Sequence, residues 1–379
     1  MVKGLYIHIP FCHQICFYCD FNKVFFKDQP VDAYIDSLGK ELALWKEQGA
    51  LDQPLETIFL GGGTPTSLEP RQLEKLLGYI HEFVPMADNL EWTSEANPDE
   101  LTFEKMQVLF NGGVNRLSMG VQSFDEDLLK RLGRTHSNGD VAKAVEDARR
   151  VGFTNISFDL MYGLPGQTMA QWEDTLEQAF LFDLPHFSAY SLIIEPKTVF
   201  YNLMTKGKLN TVTEDLEADM YDKLMLEMES RGLSQYEISN FARPGFESRH
   251  NLLYWDNVEY IGAGAGAHGY VKGIRYSNHG PLKKYMEPLE NGERPILSSH
   301  EVPRKEQMEE EMFLGLRKTA GVSLEHFNGK FGIPMEQVYG SILDKEISSG
   351  NLVIENGRVK LTKHGRFIGN NIFEQFLLA

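Results

Sequence analysis

Cys12, Cys16 and Cys19 are all the cysteines of this 379-residue chain, and they stand together in the spacing C-x3-C-x2-C. Cysteines that serve only as core filling do not gather within eight positions. An odd number cannot close into a disulfide framework, and no export signal precedes them. Thiolates are soft ligands that suit zinc and iron–sulfur clusters. A structural zinc site needs four protein ligands, usually from two separated pairs of cysteine or histidine. Here there is one group, and His8 or His13 would have to complete it. A cubane iron–sulfur cluster usually takes four thiolates. Three would hold three irons and leave the fourth open to an external ligand, the arrangement of a reactive rather than a structural site. The ligand preference favours iron–sulfur, with zinc as the alternative.

Two further stretches could carry chemistry. Gly61-Gly62-Gly63-Thr64-Pro65 could be a plain turn, because glycine accepts any backbone conformation. It also lets a backbone approach a ligand closely. Glu95, in Ser94-Glu-Ala-Asn-Pro98, follows apolar residues, and a carboxylate there needs a partner.

The elements that must position these residues follow from periodicity. Gly4–Ile9 alternates and ends at Pro10, a strand that feeds the cysteine loop. Strands are then expected at 57–60, 90–96, 116–121, 155–161 and 187–194. Helices are expected at 31–45, 71–83, 102–110, 126–132, 141–151 and 171–181. Six strand–helix alternations call for a parallel sheet with right-handed crossovers. Pattern alone does not separate an open sheet from a partial barrel. In barrel-like sheets the chemistry sits at the C-terminal ends of strands, where the cysteines, the glycines, Glu95 and Gln122 fall. Asp215–Arg231 reads as a long helix whose methionines are pliable core, and Gln235–Ala242 as extended. Leu352–Leu361 holds Asn356-Gly357 between apolar runs, a hairpin signal. It suggests a winged-helix-like appendage. The expected division is 1–290 for the barrel with its extension and 300–379 for a small helical domain with the hairpin.

Tyr6-Ile-His-Ile-Pro-Phe-Cys12 followed by Cys16-Phe-Tyr-Cys19 resembles the cluster loop of radical S-adenosylmethionine (SAM) proteins. More narrowly, it resembles the oxygen-independent coproporphyrinogen III oxidase-like family, which has a haem-chaperone branch. The resemblance runs from about residue 2 to the C-terminus. It implies an α/β fold, a partial (β/α)6 barrel with a small C-terminal helical domain. It also implies a [4Fe-4S] cluster on Cys12, Cys16 and Cys19, with SAM chelated at the open iron. In the family, reduction cleaves SAM to methionine and a 5′-deoxyadenosyl radical, so no acid–base pair is needed. Gly62, Gly63 and Thr64 match positions that contact the SAM amino group. Glu95, Gln122, Arg134 and Asp159 match further SAM-contacting positions. Tyr6 and Tyr18 match residues packed around the cofactor, and Ile193 and Gly262–Ala267 match adenine-side positions more loosely.

Two departures set the chain apart from the oxidase branch: Phe21 stands where that branch carries another cysteine, and the N-terminal region is short. Both match the haem-chaperone branch, so haem and an apo-haemoprotein acceptor are the implied partners. The alternative is an oxidase of haem biosynthesis that decarboxylates coproporphyrinogen III. His250 opens His250-Asn-Leu-Leu-Tyr-Trp255, which matches a signature of the chaperone branch. Imidazole is a natural axial ligand for haem iron, and neighbouring aromatic residues suit a porphyrin face. Arg243 and Arg249 could meet the propionates. The plain alternative is a histidine satisfied by hydrogen bonds, and His268 is the second ligand candidate.

Composition bounds the rest. With 37 Lys and Arg against 54 Asp and Glu, the net charge is −17 and the pI about 5.1. Such a balance speaks against nucleic acid or an anionic membrane as a general partner. No run of 18 apolar residues occurs, so stable membrane insertion is not expected. Thiols without an export signal point to the reducing cytoplasm. Pairing into a homodimer is left open.

Overall fold

The structure is a computed structural model that describes residues 1–378. Six strands carry the site: β1 (Gly4–Ile9), β2 (Leu55–Gly62), β3 (Met86–Ala96), β4 (Arg116–Gln122), β5 (Asn155–Tyr162) and β6 (His186–Ser191). They lie side by side in chain order, and every adjacent pair is parallel. The crossovers contain helices α1 (Val31–Glu47), α2 (Pro70–Phe83), α3 (Phe103–Asn111), α4 (Glu126–Leu132), α5 (Asn138–Val151) and α6 (Met169–Phe180). This is the wound, parallel α/β arrangement expected of the partial barrel.

Side-chain alternation explains why one face receives the helices and the other does chemistry. Leu117, Met119 and Val121 of β4, like Ile156, Phe158 and Leu160 of β5, are buried in the main hydrophobic cluster. The intervening Arg116, Ser118, Ser157 and Asp159 face one another across the opposite side. There Ser118 donates to both oxygens of Asp159, at 3.0 and 3.2 Å, and Arg116 meets Nδ1 of His186 at 3.3 Å. The barrel interior is therefore polar.

After α7 (Val199–Thr205) and the long α8 (Glu214–Ser230), two short strands extend the β6 edge. They are β7 (Ser234–Gln235) and β8 (Asn240–Ala242), so the extended stretch expected at 235–242 is two strands with an interruption. The β1 edge gains β9 (Tyr260–Ala263), which is parallel to β1 and follows α9 (Arg249–Trp255). An antiparallel meander continues from it through β10 (His268–Val271), β11 (Ile274–Asn278) and β12 (Ile296–Glu301). The last barrel strand stops at Ser191 instead of reaching 194. Ile194-Glu195-Pro196 leads the chain off the sheet, where a proline cannot donate to a ladder.

The C-terminal residues form their own hydrophobic cluster, from Met312 to Phe376. It is built on β13 (Val322–Ser323), β14 (Leu352–Glu355), β15 (Arg358–Leu361) and surrounding helices. The hairpin turns at Asn356 and Gly357, with φ of 51° and 70°, as Asn-Gly requires. No helix among the described residues is long and apolar enough to cross a membrane.

One buried carboxylate ties the first helix to the glycine-rich turn after β9. Glu41 accepts from Gly264 N–H at 2.8 Å, Tyr285 O–H at 2.6 Å and Asn278 Nδ2 at 2.7 Å. Burial pushes its carboxyl up to about 6, while these donors pull the other way. Tyr34, on the same helix, donates to His8 O at 2.7 Å and accepts from Ala265 N–H at 2.9 Å. Glu41→Ala removes the acceptor of the Gly264 N–H and the Tyr285 O–H, and one of the two acceptors of Asn278 Nδ2, which keeps Gly264 O at 3.0 Å; it should cost at least about 2 kcal/mol. Thermal unfolding followed by circular dichroism checks this; an unchanged melting temperature would show the network to be dispensable.

Candidate cluster and cofactor site

The cysteine loop lies flat on the ends of β1 and β2 because glycine backbone receives it. Gly63 N–H donates to Ile9 O at 2.8 Å and Thr64 N–H to Phe11 O at 2.9 Å. A Cβ on Gly63 would stand 2.8 Å from the backbone of Pro10, and one on Gly62 2.5 Å from the His8 ring. Gly62 also has φ of 112°, a region that L side chains avoid. Farther along, Phe17 N–H donates to Leu132 O at 2.9 Å, and its ring packs on Gly133 and Phe200. The loop is thus clamped by β2, α4 and α7.

All three thiols line one cavity of about 320 Å3 at the strand ends. Tyr18, Gly62, Gly63, Thr64, Glu95, Gln122, Arg134 and Asp159 line it with them. Cys12 is buried, while Cys16 and Cys19 are half-buried. Burial pushes the Cys12 thiol up to about 12, against an opposing contact from the Thr64 hydroxyl at 3.7 Å. Burial also raises Cys19, with Lys23 opposing. Thiols in this setting ionise when a bound cation compensates the charge. Among the described residues, no three His, Cys, Asp or Glu side chains converge as single-ion ligands. The three thiols line a common space without converging on one point.

The carboxylates sit deeper. Glu95 Oε2 accepts from Gly62 N–H at 3.1 Å. Burial first, and then repulsion from Asp159, push its carboxyl up to about 8. Burial raises Asp159 as well, against Ser188, Arg116 and Ser118. An opposite charge beside the pair would favour their ionised forms and offset their mutual repulsion. Arg134 donates to Gly120 O and reaches Cys16 Sγ at 3.5 Å. Gln122 has φ of 65°, at a register shift between β4 and β5, the kind of strained position that collects at functional sites.

Beside this cavity lies a second, of about 450 Å3, which shares Phe21, Gly62 and Glu95 with it. Tyr6 and His250 line the second cavity and not the first. The His250 ring is almost fully buried, with Nδ1 bonded to Thr57 Oγ1 at 2.7 Å and Nε2 to Tyr254 O–H at 2.8 Å. Burial lowers its pKa to about 3, so it is neutral. Arg243 pairs with Asp183, and Arg249 lies 3.6 Å from Glu56; neither lines either of these two cavities. Ile193 is 67% exposed and lines neither cavity. The strand expected there ends two residues earlier.

Sequence reading passed over Asn97, Ser118 and Arg116. Asn97 donates to Thr64 Oγ1 at 3.2 Å, and both Asn97 and Ser118 line the first cavity. Arg116 is 2% exposed, with its charge near both carboxylates. The polar alternation Arg116-x-Ser118 on an otherwise apolar strand was the available signal.

Residues 6–179 match the radical SAM superfamily and residues 302–368 the HemN C-terminal domain. The chain is 50% identical to the heme chaperone HemW of Bacillus subtilis, over 99% of both chains. It is 46% identical to that of Lactococcus lactis, over 99% of this chain and 97% of the relative. Coproporphyrinogen III oxidase (HemN) from Escherichia coli, a radical SAM enzyme, superposes with a TM-score of 0.87 over 99% of this chain and 90% of that one. At 22% identity, that likeness speaks for the fold alone. Matched from end to end by HemW proteins of distant bacteria, the chain belongs to the HemW family within the radical SAM superfamily.

Proposed function

We propose that the chain is a radical SAM-fold haem chaperone of the cytoplasm that binds haem and passes it to an apo-haemoprotein. One observation carries this reading: relatives named as heme chaperones align over its whole length at up to 50% identity. The oxidase reading rests on a structural likeness at 22% identity, and Phe21 lines both cavities in place of a further thiol.

In this reading Cys12, Cys16 and Cys19 hold a [4Fe-4S] cluster, and SAM takes the open iron. Such a cluster, when bound, supplies an electron and a coordination position for the amino-acid end of SAM. The protein contributes binding, orientation and shielding. Glu95 and Asp159 receive the ammonium, and Gly62 and Gly63 let the backbone approach. Thr64 and Arg134 brace the sulfur atoms, and Tyr18 and Gln122 close the cavity around the cofactor.

Anaerobically reconstituted protein should carry about four irons per chain, and Cys→Ser at position 12, 16 or 19 should remove them. Stoichiometric zinc in freshly purified protein would refute the cluster assignment. For SAM, Glu95→Gln should weaken binding by roughly ten- to a hundredfold, the value of one charge-assisted contact. A carboxyl raised to about 8 is mostly protonated at pH 7. Seating a cation therefore lowers its pKa and releases a proton. Calorimetry in buffers of different ionisation enthalpy should detect that proton in the wild type and not in Glu95→Gln. Equal affinity and equal release would make Glu95 structural.

The carrier role is tested by mixing reconstituted protein, SAM and reductant with coproporphyrinogen III, and by titrating the same sample with haem. Haem binding with persistent coproporphyrinogen is expected. Release of carbon dioxide would reverse the reading in favour of the oxidase.

A further inference from the structure

The geometry points to the second cavity as the haem seat, with His268 as the iron ligand, an inference that rests on the haem-carrier reading above. The cavity, at about 450 Å3, falls within the roughly 300–1,000 Å3 common for ligand sites. Tyr6, Phe59, Tyr254 and Tyr260 give it aromatic walls, on which a flat macrocycle can pack.

Three histidines line this cavity, and only one is uncommitted. Ligation needs a lone pair on a neutral ring nitrogen. His8 spends both ring nitrogens, on Tyr6 O–H at 3.0 Å and Asn22 O at 2.7 Å. His250 spends both on Thr57 and Tyr254. Using either for iron would break a hydrogen bond and strand a polar group in a buried setting, which is costly. The His268 ring is exposed, lines the cavity and carries no hydrogen bond among the described residues. The iron bond therefore falls to His268, while His250 holds the Tyr254 wall.

The backbone under His268 is held firmly. It opens β10 in register with Ser277, and it crosses Gly262 so closely that a Cβ there would stand 1.8 Å from His268 O. The preceding turn hangs from Glu41 and Tyr34. An exposed ligand on a firm base suits a cargo that must leave. Delivery is then a ligand exchange: a donor atom of the acceptor forms its bond to iron as the His268 nitrogen–iron bond breaks. Electrons and oxidation state are unchanged, and the freed nitrogen keeps its lone pair.

The test titrates haem into the cluster-reconstituted full chain, following the Soret band for the wild type, His268→Ala and His300→Ala. His300 is an exposed histidine paired with Glu306 and lines neither cavity. His268→Ala should shift the band and weaken binding by at least the roughly 10- to 100-fold that loss of an outer-shell partner costs a metal site. Added imidazole should restore the wild-type band, a rescue that a merely structural histidine would not permit. His300→Ala should match the wild type. A wild-type spectrum and affinity in His268→Ala would overturn the ligand assignment and leave the carrier reading standing. A wild type that binds no haem would overturn the carrier reading itself, and this inference with it.

Discussion

Everything at this site depends on a backbone-to-backbone contact that tolerates no side chain. The cysteine loop rests on main-chain hydrogen bonds from Gly63 and Thr64, with the His8 ring and the Pro10 backbone filling the space a Cβ on Gly62 or Gly63 would need. That contact brings the three thiols over the open ends of β1 and β2. It also aims the Gly62 N–H at Glu95, so the same few atoms hold the sulfur ligands and the nearest carboxylate. Glycine is needed here for chain packing, and the same absence of side chains leaves backbone facing the cavity.

The barrel interior extends the theme of charge kept where burial opposes it. Glu95 and Asp159 are both held above the ordinary carboxylate range; Arg116 offsets both in part, and Arg134 also opposes the rise of Asp159. Ser118 and the Gly62 N–H add hydrogen bonds but no positive charge. Polar residues across several strands form one connected lining, because the alternate positions on each strand pack outward against the helices. The outward face stabilises the fold by apolar burial, which leaves the inner face free to carry groups that would otherwise destabilise it.

Much of this was legible beforehand, for identifiable reasons. The C-x3-C-x2-C spacing, the glycine run and Glu95 are local signals whose chain order matches strand order, so the parallel sheet joins them without further information. The Asn356-Gly357 turn was readable because its backbone demands are met by few residue pairs. What escaped was non-local. The strands from 260 to 301 are hidden by glycines, which give no periodic signal although Gly262 is required by the crossing of His268. Ile193 read as a strand residue because Leu192-Ile193-Ile194 is apolar; only the departure of the chain before Pro196 exposes it. His250 and His268 look alike as letters. They differ in what their ring nitrogens touch, and that is settled by tertiary packing.

The two cavities have a wall in common, made of Phe21, Gly62 and Glu95. A cation settling beside Glu95 would favour its charged form, so under the proposed cofactor reading occupancy on one side would alter the electrostatic field on the other. Binding free energies linked in this way are reciprocal: whatever factor the first guest imposes on the second, the second imposes on the first. Under the proposed carrier reading, such a wall would couple the state of the cofactor to the grip on cargo, with no moving part larger than a proton.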